Sequence, residues 1–251
     1  MLLCDTNTVY NMDFGDMYDY HTKTGADITV LGCSGKLPAL ANIMALRCDD
    51  GGRVQSVAIA PKTDSESLYS VNTMLMRKSL LVHLVRDAET YGYESFEKDI
   101  IQKSADKLNI RCYAPEGFCR TVDSLVSYYN VNMMLLDGKI RSELFAKDRP
   151  VYTKIRNDMP VLYGLCSKVS NSLISDGCVI EGTVENSVLA RGVRVAAGAV
   201  VRDSILMQDT YVGEDASLQC VITDKSAVIT PYKRLSGASS FPVYVGKGIM
   251  V

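Results

Sequence analysis

VSNSLISDGCVIEGTVENSVLARGVRVAAGAVVRDSILMQDTYVGEDASLQCVITDKSAVI, residues 169–229, repeats small and aliphatic residues about every six positions. The step is kept by Val193, Ala199, Ile205 and Tyr211, and again by Val195, Val201 and Met207. An α-helix has a side-chain period of 3.6 and a strand a period of two, so neither produces this pattern. A parallel β-helix does, because each flat side takes about six residues and three sides complete one coil.

Small residues in the same stretch occur where a coil must bend. We expect four of them at crowded inner corners: Cys178, Ala199, Ala216 and Ala227. Glycines suit bends where a Cβ would clash or φ becomes positive, and the candidates are Gly177, Gly192, Gly198 and Gly213. A β-sandwich would instead show turns every 8–12 residues and alternation of period two. The pattern therefore favours the β-helix.

Composition excludes several classes of function. The chain has 251 residues, 47% hydrophobic residues and a net charge of −2, which gives no reason to expect a nucleic-acid or membrane partner. The start MLLCDTNTV does not resemble a signal peptide. Eight scattered cysteines without a Cys-x-x-Cys motif indicate reduced thiols and a cytoplasmic location. His21 and His83 lack the neighbours of a zinc site or a catalytic triad.

The first 150 residues alternate strand and helix patterns. Helical stripes occur at residues 14–21, 80–85, 96–108 and 125–136, and strand patterns at residues 1–4, 28–33 and 110–115. Residues 49–52 (DDGG) separate two apolar runs and predict a hairpin. We therefore expect an α/β domain with a largely parallel sheet over residues 1–150, with a linker from about residue 137, and the β-helix domain over residues 151–251.

Two motifs connect this architecture to a family. NTVYNMDFGDMYDYHTKTGADITV (7–30) and FCRTVDSLVSYYNVNMMLLD (118–137) are similar to conserved segments of glucose-1-phosphate adenylyltransferase, and residues 172–225 resemble its left-handed hexapeptide β-helix. The chain thus resembles this family over nearly all its length, most of all its regulatory, GlgD-type subunits. The resemblance implies a partial nucleotidyltransferase (Rossmann-like) α/β domain, since the family's N-terminal Gly-rich phosphate loop is missing from this sequence.

The resemblance also implies an activity. The family joins ATP and glucose 1-phosphate to give ADP-glucose and pyrophosphate, which supplies glycogen or starch synthesis. Two aspartates hold the Mg²⁺ that neutralises the phosphate oxygens during the reaction. In this sequence Asn7 and Thr121 occupy the two aspartate positions, and neither side chain offsets the charge of Mg²⁺.

Other positions depart from the family pattern as well. Ala60 stands where the family has the lysine that binds the sugar phosphate, and Lys62 follows two residues later, beyond Pro61. The family's Ser-x-Gly-x-Tyr stretch, which lines the sugar pocket, is altered in residues 70–74 (SVNTM). Asp5 and Asp123 each lie two positions from a lost aspartate, and on an extended strand that is a displacement of about 6–7 Å.

These departures predict a regulatory subunit, or a C-terminal fragment of one, that is inactive alone and acts in ADP-glucose formation for glycogen synthesis. We expect no catalytic residue, metal or cofactor in this chain, whereas the family's active subunits use Mg²⁺ and ATP. The expected partner is the catalytic subunit, in a homo- or hetero-tetramer. Two alternatives stay open: an active Mg²⁺-dependent nucleotidyltransferase that uses Asp5 and Asp123, and a β-helix oligomerisation module.

Basic residues predict a further site. An anion pocket between the domains, for a phosphorylated sugar or acid as effector, would be lined by Lys154, Arg156, Lys168, Arg191, Arg194 and Arg202. The alternative for each residue taken alone is a solvated outer face of a β-helix coil.

Overall fold

The computed structural model describes residues 1–62, 66–115 and 117–251. These residues form two compact units. The first comprises residues 1–123 and 146–149, and the second comprises residues 124–145 and 150–251. Residues 124–145, which the sequence analysis assigns to the first domain and its linker, therefore group with the β-helix.

The first unit contains a layer of strands flanked by helices. Its elements are, in chain order, β1 (Leu2–Leu3), β2 (Thr8–Tyr10), α1 (Phe14–Thr24), β3 (Ile28–Gly35), β4 (Met44–Cys48), β5 (Val54–Ile59), β6 (Ser67–Met76), α2 (Lys78–Tyr91), a π-helical segment (Phe96–Gln102), β7 (Ile110–Tyr113) and β8 (Cys119–Thr121). All the sequence-predicted helices and strands of residues 1–123 are present, within a few residues of their expected bounds.

The sheet of this unit is mostly antiparallel, so the prediction of a largely parallel sheet was wrong. Its strand order is β5-β4-β6-β3-β7, and β1 also pairs with β6. Among the described strands of this sheet, only β3 and β7 pair in parallel, while β3–β6, β4–β6, β4–β5 and β1–β6 are antiparallel. Strands β4 and β5 form a hairpin, and β6 lies on the other side of β4, antiparallel to it. A hairpin joins antiparallel neighbours, whereas a parallel pair requires a crossover connection.

Helix α1 shows how local sequence sets an element's ends. Asp13 caps the helix by accepting a hydrogen bond from the Gly15 N–H at 2.7 Å. Gly25 ends it in the left-handed region with φ of 57°. The helix buries Met17, which packs in a core cluster with Leu31 and Tyr69.

A separate two-stranded ribbon lies beside this sheet. Strands β2 and β8 pair antiparallel, with Thr8 opposite Thr121 and Tyr10 opposite Cys119. The Asn7 carbonyl accepts a hydrogen bond from the Val122 N–H at 2.7 Å, which extends the pairing by one position. The ribbon therefore joins two segments that lie more than a hundred residues apart in the sequence.

The second unit begins with two helices and continues as a β-helix. Its helices are α3 (Leu125–Met134) and α4 (Gly138–Leu144), and α4 lies where the sequence predicts a linker. The strands are β9 (Leu162–Tyr163), β10 (Lys168–Ser170), β11 (Leu173–Ile174), β12 (Val179–Ile180), β13 (Thr183–Glu185), β14 (Val188–Leu189), β15 (Arg194–Val195), β16 (Val200–Arg202), β17 (Ile205–Leu206), β18 (Tyr211–Val212), β19 (Ser217–Gln219), β20 (Val221–Thr223), β21 (Val228–Ile229), β22 (Arg234–Ser236) and β23 (Val243–Val245).

These strands form three parallel five-stranded sheets, which confirms the predicted β-helix. The sheets are β9-β12-β15-β18-β21, β10-β13-β16-β19-β22 and β11-β14-β17-β20-β23. The coils are shorter than three full six-residue sides: Val179 pairs with Arg194 and Arg194 pairs with Tyr211, so successive strands lie 15 and 17 residues apart. Gly182 accounts for the shorter coil, because a Cβ there would collide with the carbonyl oxygens of Ala196 and Ala199.

The interior of the β-helix contains the residues that the period selects. Val184, Val195, Val201, Leu218 and the four small corner residues named above are all at most 1% exposed. Backbone bends confirm three predicted glycines, since Gly177, Gly192 and Gly198 have φ between 71° and 78°. Gly213 has no positive φ, but a Cβ there would lie 2.6 Å from the Pro231 nitrogen. Tight packing against the next coil therefore explains that glycine.

Polar ladders connect the coils at one corner. Asn171 donates from Nδ2 to Asn186 Oδ1 at 2.7 Å, and Asn186 donates in turn to Asp203. All three have positive φ, a conformation that Asn and Asp tolerate better than other residues with a Cβ. Inside the corner, Ser187 Oγ donates to the Glu185 carbonyl and accepts from the Ser204 N–H. These bonds satisfy polar groups that the β-helix buries completely.

Helix α3 packs on the β-helix through a buried tyrosine. Tyr129 is 3% exposed and clusters with Ile205, Cys220 and Ile222. Its hydroxyl donates to the Asp203 carbonyl at 2.7 Å. This contact explains why the helix groups with the second unit. In neither unit does a described helix have the length and hydropathy required to span a membrane.

Candidate functional site

The β2–β8 ribbon brings together Asn7 and Thr121, the two positions that the sequence resemblance matches to the family's metal-binding aspartates. Thr8 Oγ1 lies 2.9 Å from Thr121 Oγ1 and donates to Asn7 Oδ1 at 3.4 Å. These two links limit the distance between Asn7 Oδ1 and Thr121 Oγ1 to 6.3 Å. All three side chains are partly buried. The result is a chain of neutral oxygens at the place where a charged pair is expected in active relatives.

Tyrosines beside this chain of oxygens are also neutral at physiological pH. The Tyr10 hydroxyl lies 3.1 Å from Thr73 Oγ1, and burial raises the pKa of this phenol. Burial is also the main reason why the pKa of the Tyr69 phenol is raised, while a hydrogen bond with Thr121 opposes the shift. The side chains of Thr8, Tyr10, Thr73 and Thr121 are therefore polar but uncharged, while the exposed Arg120 of β8 donates to the Cys119 carbonyl at 2.7 Å.

Two nearby carboxylates make other contacts. Asp5 Oδ1 accepts from the Thr6 N–H at 2.9 Å, and Asp5 Oδ2 accepts from Asn72 Nδ2 at 3.3 Å. Asp123 Oδ2 accepts from the Ala39 N–H at 2.6 Å. Each carboxylate is thus oriented toward its own donor rather than toward Asn7 and Thr121.

The donor set at the ribbon does not fit Mg²⁺. This cation prefers an octahedron of hard oxygens that includes one or two carboxylates, whereas Asn7 and Thr121 supply one amide oxygen and one hydroxyl. Throughout residues 1–62, 66–115 and 117–251, no group of three or more His, Cys, Asp or Glu side chains is arranged to hold a metal. The ribbon can accept and donate hydrogen bonds, but it does not offset a divalent charge.

The remaining positions of the altered motifs lie on the neighbouring strands. Ala60 follows β5 with φ of 43°, and its N–H donates to the Ile43 carbonyl at 2.8 Å. Lys62 is exposed. In β6, Asn72 has φ of 54° and interrupts the pairing with β3 between Met74 and Ser70. Because residue 60 is an alanine, it provides no positive charge directly after β5.

The basic residues of the predicted effector site do not lie on one face of the β-helix. Lys168 and Arg202 belong to the sheet that contains β10 and β16, and Arg194 belongs to the sheet that contains β15. Lys154 and Arg156 are exposed in a segment without regular structure. An anion pocket between the two units stays a prediction.

Ion pairs already engage two of these arginines. Arg202 Nε lies 2.7 Å from Glu185 Oε2, and Arg191 Nε lies 3.9 Å from Asp158 Oδ2. Both pairs are solvent-exposed, so each contributes at most about 1 kcal/mol to stability. Arg194 instead lines a groove of about 320 Å³ together with Asp209 and Tyr211.

Comparison with known proteins identifies sequences that this chain resembles. Residues 163–237 match the family model described as GlmU-like, C-terminal hexapeptide. The glycogen biosynthesis protein GlgD of Bacillus subtilis is 28% identical over 249 residues, which cover 99% of this chain and 63% of the relative. The chain is similar to GlgD along almost its whole length. Its similarity to proteins of a glycogen-biosynthesis-related family extends over almost its whole length.

Two glucose-1-phosphate adenylyltransferases are also similar to this chain. A glucose-1-phosphate adenylyltransferase of Desulfitobacterium hafniense is 26% identical over 238 residues, covering 94% of this chain and 60% of the enzyme. That of Geobacillus stearothermophilus is 29% identical over 205 residues, covering 80% and 53%. The chain thus spans between about half and two thirds of the length of these relatives. The resemblance read from the sequence motifs is confirmed.

The sequence analysis does not predict several contacts of this chain. Thr8 connects the two altered metal positions, and Asn72 contacts Asp5, but both lie inside motifs where only their neighbours attracted attention. The only sequence feature that pointed to the Thr8 contacts is its position directly after Asn7 in a strand pattern. Pairing across the ribbon depends on residues more than a hundred positions apart, so no local pattern shows it.

Proposed function

We propose that this chain is a regulatory, non-catalytic subunit of glucose-1-phosphate adenylyltransferase that acts in ADP-glucose formation for glycogen synthesis. The observation that carries the proposal is the chain of neutral oxygens formed by Asn7, Thr8 and Thr121 on the β2–β8 ribbon. Phosphoryl transfer brings anionic oxygens together and depends on a bound cation to offset their charge. A site that offers only an amide and hydroxyls lacks this function.

The partner and the location in this proposal follow from the sequence resemblance to the family. The subunit pairs in the cytoplasm with a catalytic glucose-1-phosphate adenylyltransferase subunit, in a tetramer, and a phosphorylated sugar or acid acts as effector. Mg²⁺ and ATP are then bound by the partner. The β-helix supports this role, because its solvent-exposed coil ends offer strand edges for association.

The alternative of an active enzyme with displaced metal ligands has less support. Asp5 and Asp123 would have to give up hydrogen bonds to Asn72 and to the Ala39 N–H before they could turn toward a shared cation. A β-helix oligomerisation module without metabolic role is supported only by the second unit. The altered but recognisable motifs of the first unit favour a role linked to adenylyltransferase activity.

The test is ADP-glucose synthesis by the purified chain, by a catalytic subunit, and by mixtures of both at several ratios. We expect no turnover by the chain alone and a changed rate or effector concentration dependence in the mixture. Turnover by the chain alone that disappears in Asp5→Asn would establish the displaced-ligand enzyme instead. Self-association without any effect on the catalytic subunit at any ratio would leave only the oligomerisation module.

A further inference from the structure

Two cysteines meet where the β2–β8 ribbon lies against the main sheet of the first unit. Cys33 belongs to β3 and Cys119 to β8, 86 residues apart in the sequence. Cys33 Sγ lies 3.3 Å from the Cys119 carbonyl oxygen, and both residues are members of one buried cluster. The Cys119 thiol also donates a hydrogen bond to Cys33 Sγ. The two sulfur atoms are therefore neighbours, and both thiols are free in this structure.

The surroundings of Cys33 favour its thiolate. The hydrogen bond from the Cys119 thiol is the main reason why the pKa of Cys33 is lowered to about 6. A hydrogen bond from Tyr69 and the positive charge of Arg120 act in the same direction, whereas burial opposes the shift. The Arg120 guanidinium is held close because its Nη1 donates to the Cys119 carbonyl at 2.7 Å. Since the thiolate is the nucleophilic form of cysteine, Cys33 is the more reactive of the two.

Cys119 has the complementary character. The pKa of its thiol is raised, mainly because the thiol donates to Cys33 and because it is buried. Cys119 therefore keeps its proton while Cys33 is charged. A thiolate beside a protonated thiol is suited to two successive steps, in which the first sulfur attacks an oxidant and the second closes a disulfide. The second sulfur needs no access to solvent, because its target is the sulfur next to it.

Burial limits which oxidants reach this pair. Cys33 is 6% exposed and Cys119 is 4% exposed. The ribbon consists of three residue pairs outside the main sheet, and so short a pairing opens more readily than a core strand. Hydrogen peroxide is little larger than a water molecule, whereas oxidised glutathione is a pair of tripeptides. We therefore expect a small opening of the ribbon to admit peroxide and to exclude a peptide disulfide.

We propose that Cys33 and Cys119 are a peroxide-reactive pair that closes a reversible disulfide. The Cys33 thiolate attacks one peroxide oxygen, the O–O bond breaks, and the hydroxide that leaves takes a proton from solvent to become water. Cys33 is then a sulfenic acid. Cys119 Sγ attacks the Cys33 sulfur, the S–O bond breaks, and the departing hydroxide takes the Cys119 proton and leaves as water. The two cysteines have lost two electrons, and one peroxide has become two water molecules.

The disulfide fastens the ribbon to the sheet. Cys119 lies two residues before Thr121 in β8, so a covalent bond to β3 limits the movement of the strand that carries Thr121. A thiol reductant reverses the bond by thiol–disulfide exchange and releases the ribbon. This proposal is independent of the regulatory role proposed above, because it requires neither a partner subunit nor an effector.

The test is treatment of the folded chain with hydrogen peroxide, followed by alkylation of free thiols and mass mapping of its peptides without reduction. Cys4→Ser with Cys166→Ser is the background, because these two exposed cysteines would otherwise form disulfides between molecules. We expect one linked pair of peptides, containing Cys33 and Cys119 and two hydrogens lighter than the separate peptides, which dithiothreitol separates. The oxidised chain should also unfold at a higher urea concentration than the reduced chain, because the disulfide closes a long loop. Oxidised glutathione should leave the pair reduced.

Two variants and one matched control connect the reaction to its surroundings. Tyr69→Phe keeps the ring but removes a hydrogen bond to the Cys33 sulfur, so at pH 6 it should slow disulfide formation about twofold or more. Tyr91→Phe, at a tyrosine that is 68% exposed, should leave the rate unchanged. In Cys119→Ser the disulfide should be lost, and Cys33 should stop at the sulfenic acid, which dimedone traps.

Three results would overturn the proposal. The first is a disulfide between other cysteines, such as Cys48 and Cys112, in place of the expected pair. The second is oxidation of Cys33 and Cys119 to separate sulfinic or sulfonic acids without any linked peptide. The third is an equal rate of disulfide formation in Tyr69→Phe and in the background chain, since the surroundings of Cys33 would then not activate its sulfur. Equal yields with oxidised glutathione and with peroxide would refute selection of the oxidant by size, and with it the assignment of peroxide.

Discussion

Introducing two carboxylates on the β2–β8 ribbon should create a Mg²⁺ site there. The perturbation is the double substitution Asn7→Asp with Thr121→Asp, at positions whose side-chain oxygens lie within 6.3 Å of each other. Two unit charges at that distance repel by about 0.7 to 2.6 kcal/mol when the effective dielectric constant is between 80 and 20. Without divalent cations the double variant should therefore be less stable than the original chain by roughly that amount.

Mg²⁺ should reverse this loss in the double variant alone. A cation present at ten times its dissociation constant stabilises the folded state by about 1.4 kcal/mol, which offsets much of the repulsion. The assay is urea unfolding at constant ionic strength with and without MgCl₂, together with a calorimetric titration of Mg²⁺. The single variants serve as controls, because one carboxylate alone creates neither the repulsion nor the paired site. Activity is not the readout, since other positions of the site are altered as well.

One result would refute the reasoning. If Mg²⁺ stabilised the original chain as much as the double variant, neutral Asn7 and Thr121 would hold the cation after all. The argument for a non-catalytic subunit would then lose its main support, whatever the activity assay showed.

Three further predictions concern the stability of each unit. Tyr129→Phe should lower the free energy of unfolding in urea by about 1–2 kcal/mol, because it leaves the Asp203 carbonyl without this donor. Tyr152→Phe, at a tyrosine that is 91% exposed, should leave the free energy of unfolding almost unchanged. Gly182→Ala should destabilise the β-helix by about 2 kcal/mol or more, because the added Cβ would collide with the next coil. Gly138→Ala, at an exposed helix start, is the control and should have little effect. Equal melting curves for the two variants would contradict the packing argument. Burial lowers the pKa of His21 below its ordinary value, so the unfolded chain takes up a proton first as pH falls and stability should decline from about pH 7 to pH 5. His21→Gln should reduce that decline in urea midpoints, and an undiminished decline would show that other groups cause it.

The β-helix could be predicted because its determinants are local and repeated. Each coil buries an aliphatic side chain at the same place, so the period appears directly in residues 169–229. The length of individual coils could not be predicted, since the two residues missing between β12 and β13 depend on Gly182 passing close to Ala196 and Ala199 of the next coil. The six-residue period is the same in both coils, so it does not show that Gly182 contacts the next coil.

The first unit shows a different limit. Alternation of helices and strands predicted its elements but not the direction of its strands, because strand direction depends on which connections are hairpins and which are crossovers. The β2–β8 ribbon could be anticipated only through the resemblance to a family whose aspartates meet at a metal. Neither route indicated the left-handed conformation of Asn72, because asparagine is also common in positions with negative φ.

The two units therefore differ in how much a single substitution can change their function. In the β-helix, one substitution among many equivalent aliphatic positions leaves the architecture intact, and similarity to the relatives follows from the repeat as a whole. On the ribbon, replacing a carboxylate by an amide at position 7 changes almost no volume yet removes the charge on which metal binding depends. Similarity along 99% of the chain thus supports the fold far more strongly than the activity. Affinity for a divalent cation, rather than sequence identity, is the quantity that separates a catalytic relative from a regulatory one.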